Sequence, residues 1–223
     1  MVIFSLNGVL VDTLEAIREV YRAAFSHLGL ELTERHLDEY YHSRAMASLD
    51  QHLIVTAQNL NNTRYLAQFS ERRDQMIKDR MRIQRYATRS LAWLPQPRAI
   101  IDWLPLKQMQ MLLETSCLST RFRPENVISF CGGHYEDGLV RAAKSLGRSP
   151  SLSIVVESNP DLIPRATALG FEVIGIALPT AAVESNQLNS LSRAGAALTV
   201  PDFRYLRLAV DSIAYRSASR KIY

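Results

Sequence analysis

Small polar side chains follow the first apolar run of the chain, and they are the first candidates for chemistry. Residues 2–4, Val-Ile-Phe, predict a short strand buried on both faces. Ser5 and Asn7 come after this run, and Gly8 lets the backbone turn sharply beside them. Because open α/β sheets bind ligands at the carboxyl ends of their strands, we expect both side chains to face a ligand.

Polar residues also follow two later apolar runs. Residues 108–113 are interpreted as a strand and residues 153–156 as a buried strand. Four candidate site residues come soon after them: Thr115, Ser116, Glu157 and Ser158. Both runs therefore end in polar side chains, as the first apolar run does.

Strands and helices alternate in the second half of the chain. Further strands are predicted at 126–130, 171–176 and 197–200. Helices are predicted at 139–146, 161–169 and 203–214. Residues 98–104 are interpreted as a short helix that Pro105 ends. This alternation indicates an α/β fold with a parallel sheet and crossover helices.

Residues 15–88 differ from the rest because no strand is predicted among them. Apolar residues recur at helical spacing in four segments, at 13–28, from Thr33, at 46–57 and at 63–86. We therefore predict two domains, an α/β core of residues 1–14 and 89–223, and an all-helical insertion of residues 15–88 that follows the first strand.

Composition is that of an ordinary globular protein. The 223 residues are 47% hydrophobic and 22% charged, and no apolar run is long enough to cross a bilayer. The first residues lead straight into a strand and show no signal segment. Cys117 and Cys131 lack the close spacing of a zinc or redox pair. We therefore expect a cytoplasmic protein with reduced thiols and no membrane contact.

The net charge of +4 makes nucleic-acid binding an alternative that the charge pattern does not favour. Basic residues gather at 72–89 and again at 216–221. Acidic residues alternate with the basic ones at 71–82, which is typical of a solvated helix face. No exposed aromatic pattern or known nucleic-acid-binding module accompanies them.

The stretch from position 4 to 13, Phe-Ser-Leu-Asn-Gly-Val-Leu-Val-Asp-Thr, resembles the first motif of the haloacid dehalogenase superfamily. The likeness is to its branch of phosphoglycolate-phosphatase-like and β-phosphoglucomutase-like proteins. That motif has two catalytic aspartates where this chain has Ser5 and Asn7, in the places of the nucleophile and the general acid/base. The resemblance implies a Rossmann-like core whose helical cap, here residues 15–88, follows the first strand.

Residues 154–171 resemble the fourth motif of the same superfamily without a gap. Glu157 keeps the first acid of that motif, whereas Ser158 replaces the second, which holds magnesium in the family. Thr115, with Ser116 beside it, fits the hydroxyl that binds the substrate phosphate in the second motif. The alternative for Thr115 is a hydroxyl that only satisfies the end of a strand.

The third motif supplies a lysine that precedes a helix similar to residues 142–147, Ala-Ala-Lys-Ser-Leu-Gly. Counting back from this helix places Gly133 at the lysine position and His134 at the adjacent proline position. Between Thr115 and Gly133 the chain is too short for the helix that the family has there. We therefore predict that this helix is missing.

The family reaction needs a carboxylate that attacks phosphorus, a group that transfers protons, and magnesium held by carboxylate oxygens. Asn7 does not titrate near neutrality, and serine needs an adjacent base to become a nucleophile. We therefore predict a protein that has lost phosphatase activity, with no metal and no catalytic role for four degenerate positions: Ser5, Asn7, Gly133 and Ser158. The alternative is a weak or reassigned phosphatase that uses Ser5, His134 or Glu157.

The same substitutions predict a neutral, metal-independent binding site. Its expected ligand-binding residues are Ser5, Asn7, Gly8, Thr115, Ser116, Glu157 and Ser158. Backbone N–H groups in the turn at residues 7–9 would bind a phosphate or carboxylate. The alternative is a water-filled remnant. We expect the partner to be a small anion or phosphorylated metabolite, or another protein, rather than nucleic acid.

Overall fold

The computed structural model describes residues 1–33, 46–60, 63–94, 96–177 and 184–219. The chain divides into two compact units, one of Met1–Asp12 with Ile83–Tyr223, and the other of Thr13–Arg82. The helix predicted from Thr33 onward lies almost entirely outside the described residues.

A parallel sheet forms the centre of the first unit. The described strands are β1 (Val2–Ser5), β2 (Val11–Asp12), β3 (Arg82–Ile83), β4 (Arg98–Asp102), β5 (Val127–Ser129), β6 (Ile154–Glu157), β7 (Glu172–Ile176) and β8 (Leu198–Val200). Six of them form one sheet in the order β5-β4-β1-β6-β7-β8, in which every neighbouring pair is parallel. The predicted α/β fold with a Rossmann-like parallel sheet is confirmed. Because β1 lies between β4 and β6, its side chains are buried on both faces, as its sequence predicts.

Helices connect the strands. The described helices are α1 (Leu14–His27), α2 (Met46–Asn59), α3 (Thr63–Arg80), α4 (Ala87–Trp93), α5 (Leu106–Thr115), α6 (Tyr135–Ser145), α7 (Ile163–Ala168), α8 (Glu184–Arg193) and α9 (Leu206–Ser219). Short 3-10 turns precede α7 and α9 at Pro160–Leu162 and Phe203–Tyr205. Within the described part of the chain, no helix combines the length and the apolar character that crossing a membrane requires.

The second unit contains α1, α2 and α3, which correspond to three of the helices predicted for residues 13–86. Aromatic side chains hold α1 against α3: the rings of Tyr21 and Phe69 meet edge to face at 5.5 Å, and His27 stacks on Tyr65 at 4.2 Å. The expectation that residues 15–88 contain no strand is wrong at one place. Arg82–Ile83 forms β3, which pairs with β2 in a two-stranded sheet.

The structure reverses two predicted elements between residues 98 and 115. The segment interpreted as a short helix is β4, and the segment 108–113, interpreted as a strand, belongs to α5. The β-branched pair Ile100 and Ile101 favours a strand, and both side chains are wholly buried. Residues 106–115 are rich in Leu, Met and Gln, which favour helices, and none of them is β-branched before Thr115.

A close approach between a strand and a helix occurs at Gly175 of β7. A Cβ atom built at Gly175 would lie 2.9 Å from the Cβ of Leu191 in α8 and 3.3 Å from the Cβ of Ala196. Contacts below 3.0 Å do not occur between real Cβ atoms. The absence of a side chain at Gly175 therefore allows α8 to pack on the sheet at this distance.

Substitution Gly175→Ala is expected to destabilise the fold by about 1–3 kcal/mol, because the added methyl group forces α8 away from β7. The matched control is Gly133→Ala, where the new Cβ meets only the carbonyl oxygen of Phe130 at 3.5 Å. Urea unfolding of both variants measures the difference. Equal free energies of unfolding for Gly175→Ala and the parent protein would contradict this account of the packing.

Candidate functional site

The carboxyl group of Glu157, the last residue of β6, accepts hydrogen bonds from the backbone and from side chains in the described part of the chain. The backbone N–H groups of Ser158 and Asn159 donate to Oε1 at 2.9 and 3.0 Å. The hydroxyl groups of Ser5 and Tyr135 donate to Oε2 at 2.5 and 3.2 Å. Ser5 and Glu157 are both 0% exposed. The serine at the end of β1 is therefore tied directly to the end of β6.

A second buried carboxyl group, that of Asp102, lies on the other side of β1. Asp102 is the last residue of β4 and is also 0% exposed. Its Oδ2 accepts the backbone N–H of Asn7 at 2.7 Å, and its Oδ1 accepts that of Leu104 at 3.1 Å. The chain that leaves β1 is thus bonded to a carboxyl group on each side.

The turn after β1 is held by hydrogen bonds among its own backbone groups and by one to Asp102. Gly8, at φ 83°, donates its N–H to the carbonyl of Val11 at 2.8 Å. Leu10 and Val11 in turn donate to the carbonyl of Leu6. The N–H groups of residues 7–9 are predicted to bind an anion, but in this structure protein oxygens accept those of Asn7 and Gly8.

The structure brings together only part of the predicted site. Ser5 and Glu157 are hydrogen-bonded at the ends of β1 and β6, Ser158 donates its N–H to Glu157, and Asn7 donates its N–H to Asp102 at the end of β4. Thr115 and Ser116, by contrast, do not end a strand. They end α5, where the hydroxyl of Ser116 donates to the carbonyls of Leu112 and Leu113 at 2.7 and 3.2 Å. The prediction that Thr115 and Ser116 follow a strand is therefore wrong, because the segment before them is helical.

Gly133 lies in the exposed connection between β5 and α6, and its N–H donates to the carbonyl of Phe130 at 2.9 Å. His134, the residue before α6, is exposed as well. The prediction that a helix is missing before this point is wrong. α5 connects β4 to β5, and it includes residues 108–113, for which the sequence predicts a strand.

The sequence did not single out Asp102 and Tyr135. A usable signal existed for Asp102, because Ala99-Ile100-Ile101 is an apolar, largely β-branched run that ends in an acid, as residues 154–157 do. No local signal identifies Tyr135. Its hydroxyl reaches Glu157 across 22 positions of sequence, and this contact depends on how α6 packs against the sheet.

An ion pair beside the site holds the first turn of α6 against α7. Arg165 donates from Nε and from a terminal nitrogen to the two carboxylate oxygens of Glu136, each at 2.6 Å. The Arg165 guanidinium also lies 5.7 Å from the centre of the Tyr135 ring. The hydrogen bonds from Arg165 lower the pKa of Glu136, although partial burial opposes this shift. The ion pair thus supports the tyrosine that donates to Glu157.

Hydrogen bonds from the protein already engage the carboxylate oxygens at this edge of the sheet that could hold magnesium, the ion that the resemblance implies. Magnesium requires near-octahedral coordination by oxygen ligands, usually including one or two carboxylates. Here both oxygens of Glu157 and both of Asp102 already accept hydrogen bonds from the protein. Among the described residues, no three His, Cys, Asp or Glu side chains are grouped so as to hold a metal ion.

Comparison with known proteins identifies the fold. No protein-family model matches the chain, and no curated protein matches it. Solved structures do match over nearly the whole chain. A haloacid dehalogenase hydrolase of family IA, variant 3, from Entamoeba histolytica is 19% identical, with a TM-score of 0.75, and the match covers 97% of this chain and 98% of that one.

Two further structures agree. A conserved haloacid dehalogenase-like protein of unknown function from Agrobacterium tumefaciens is 22% identical, with a TM-score of 0.69 and coverage of 96% and 98% of the two chains. A putative β-phosphoglucomutase from Thermotoga maritima is 18% identical, with a TM-score of 0.68 and coverage of 95% and 98%. This protein therefore has the fold of the haloacid dehalogenase-like hydrolases, as the sequence resemblance implies.

Substitution Asp102→Ala is expected to destabilise the protein by about 2–4 kcal/mol, because it leaves the buried N–H groups of Asn7 and Leu104 without acceptors. Asp102→Asn keeps one acceptor oxygen and should lose less. Asp137→Ala, at an exposed position of α6, is the control and should change the free energy of unfolding by about 0.5 kcal/mol or less. A loss for Asp102→Ala as small as that of the control would show that these two hydrogen bonds contribute little.

The Glu136–Arg165 pair predicts a small pH dependence of stability. The pKa of Glu136 is lowered in the folded state, so its contribution is complete above the ordinary glutamate value of about 4.3. The contribution is lost as the pH falls through the lowered folded pKa. Both side chains are partly exposed, so Glu136→Gln should cost only about 0.2–1 kcal/mol at neutral pH. Unfolding of the parent and the variant at pH 7 and in acid tests this; a difference that does not shrink in acid would contradict it.

Proposed function

We propose that this protein does not carry out phosphatase chemistry and acts by binding a ligand or a protein partner. The observation that carries the proposal is the hydrogen bond from the hydroxyl of Ser5 to Glu157. It engages the residue in the nucleophile's place and the acid that would otherwise be free to hold a metal ion.

Ser5 is badly placed to attack a substrate. Its side chain is wholly buried, and its proton points at Glu157 rather than at a position that a phosphorus atom can reach. A nucleophilic serine needs a general base and an open path to the electrophile. The buried contact with Glu157 provides no such path, which supports loss of the reaction.

Asp102 also opposes entry of a phosphate. In this structure its carboxyl group accepts the N–H of Asn7, at the place where the turn after β1 would meet an anion. A phosphate here would approach two buried carboxyl groups, those of Asp102 and Glu157. Like charges in a poorly solvated setting repel strongly, so a phosphate ester is a poor ligand for this edge.

Exposed aromatic and apolar side chains on α4 and α9 favour a protein partner over a phosphorylated metabolite bound at the ends of β1 and β6. Trp93 of α4 is 67% exposed, and Leu208 and Tyr215 of α9 are 70% and 76% exposed. Arg207 of α9 donates to the carbonyl of Trp93, so α4 and α9 are joined beside Trp93 and Leu208. Tryptophan and tyrosine are enriched in protein–protein interfaces, particularly at their energetic centres.

Hydrolysis of p-nitrophenyl phosphate with magnesium tests the loss of activity. The parent protein should show no turnover above that of Ser5→Ala, because the hydroxyl of Ser5 takes no part in a reaction. Magnesium should leave the thermal midpoint unchanged, because the carboxylate oxygens are already bonded. The control variant is Ser116→Ala, which removes another buried hydroxyl that lies outside the site.

Turnover that Ser5→Ala abolishes and Ser116→Ala retains would overturn the proposal, since it would assign catalysis to Ser5. A rise of the thermal midpoint with magnesium that Glu157→Gln removes would show that Glu157 binds the metal after all. Turnover that neither serine variant changes would leave Ser5 without a catalytic role. It would still contradict the absence of phosphatase chemistry, unless further purification of the protein removes it.

A further inference from the structure

A cavity of about 200 Å³ lies at the carboxyl ends of β7 and β8, in the first unit of the chain. Residues 84–86 line one part of it, and residues 176–177 and 201–205 line the rest. None of these residues takes part in the hydrogen bonds around Glu157 and Asp102. We name this space the Arg85–Tyr86 cavity.

Two guanidinium groups lie against one tyrosine ring in this cavity. The guanidinium carbon of Arg85 is 4.8 Å from the centre of the Tyr86 ring, and that of Arg204 is 4.9 Å from it. Arg204 also lies 5.8 Å from the ring of Tyr205. Such cation–π contacts hold a guanidinium in place while its N–H groups remain available at the edge of its plane.

The two arginines differ in their partners. Arg204 donates from Nε and a terminal nitrogen to the carboxylate of Asp202, with its shortest contact at 2.6 Å. Arg85 makes no ion pair or hydrogen bond with any residue in the described part of the chain, and its guanidinium acts on Asp202 only at longer range. The cavity therefore contains two positive charges and one negative charge, and one guanidinium is open to a ligand.

The backbone at Tyr86 holds the ring in this position. Tyr86 has a left-handed conformation, with φ 67° and ψ −3°, which an aromatic residue rarely adopts. Its carbonyl accepts the N–H of Ser90 in α4, and Ala87 donates to the carbonyl of Gln84. Residues in such conformations occur preferentially at functional sites, where surrounding contacts hold them.

We propose that the Arg85–Tyr86 cavity binds a small oxyanion, a carboxylate or a phosphate, carried on a flat apolar body. The fork of N–H groups on Arg85 matches both kinds of oxyanion in a bidentate manner. Tyr86, Tyr205 and Phe203 supply aromatic surface for the body of the ligand. The volume corresponds to about seven water molecules at roughly 30 Å³ each, which limits the ligand to about the size of one substituted ring.

This inference does not depend on the proposed loss of phosphatase activity. It uses residues at the ends of β7 and β8, whereas that proposal rests on the ends of β1, β4 and β6. A negative result at the Arg85–Tyr86 cavity would leave the phosphatase result unchanged, and the reverse also holds.

The test is calorimetric titration of the whole protein with benzoate, phenyl phosphate and benzamide. Benzoate and phenyl phosphate carry the two oxyanions on the same ring, and benzamide is the neutral control. We expect at least one anion to bind with a dissociation constant on the order of 1 mM, and to bind more weakly at high salt. Benzamide should bind at least about tenfold more weakly, because it has no charge for Arg85 to meet.

Variant Arg85→Gln should weaken binding of the anion by about 10- to 100-fold, because it removes a charge-assisted pair of hydrogen bonds. Arg89→Gln removes an exposed arginine four residues away that does not line the cavity, and it should leave binding unchanged. Tyr86→Gly removes the ring at a position whose backbone suits glycine, so it should lose binding without losing the fold. Circular dichroism and thermal melting confirm folding of each variant.

The identity of the bound anion assigns the site. Binding of benzoate alone assigns it to carboxylates, binding of phenyl phosphate alone assigns it to phosphate esters, and binding of both assigns it to oxyanions in general. Three results would overturn the proposal: no binding of either anion at millimolar concentration, equal binding of benzamide, or the same loss in Arg89→Gln as in Arg85→Gln.

Discussion

The hydrogen bond between Ser5 and Glu157 is the contact on which the centre of this molecule depends. It ties the end of β1 to the end of β6, and the N–H of Asn7 ties the same segment to β4 through Asp102. All of these groups are buried, so an unpaired donor or acceptor among them would be costly. Fully satisfied polar networks in a poorly solvated interior are rigid, and this one closes the edge of the sheet that binds ligands in related folds.

Along the carboxyl edge of the sheet, the charged groups at β4, β1 and β6 have different partners from those at β7 and β8. At β4, β1 and β6, carboxyl groups meet N–H and O–H donors of the protein, and little bonding capacity remains for a ligand. At β7 and β8, a guanidinium rests on an aromatic ring beside a cavity. The cavity proposed to bind an oxyanion thus lies at the side of the sheet, whereas the carboxyl groups at its middle bond to the protein itself.

Much of the fold could be predicted from sequence because buried parallel strands are short apolar runs that end in polar residues. Residues 2–5 and 154–157 follow this pattern, and the pattern correctly placed Ser5 and Glu157 at the ends of strands. It failed at residues 98–115, because apolar residues in runs this short fit a helix and a strand almost equally well. The exchange of those two elements placed Thr115 and Ser116 at the site and left out Asp102, whose partner Asn7 is 95 positions away. Tyr135 could not be found at all, because only tertiary packing brings its hydroxyl to Glu157.

The contact between Ser5 and Glu157 also limits which amino acids position 5 can tolerate. An aspartate at position 5 would set a second carboxylate within hydrogen-bonding reach of Glu157, in a buried place that already contains Asp102. Carboxylates that close cannot both ionise without a cation between them. A single replacement would therefore be destabilising, and a tolerated route would need several positions to change together. The side chains that surround Ser5 therefore oppose its exchange for the aspartate that the sequence resemblance implies at this position.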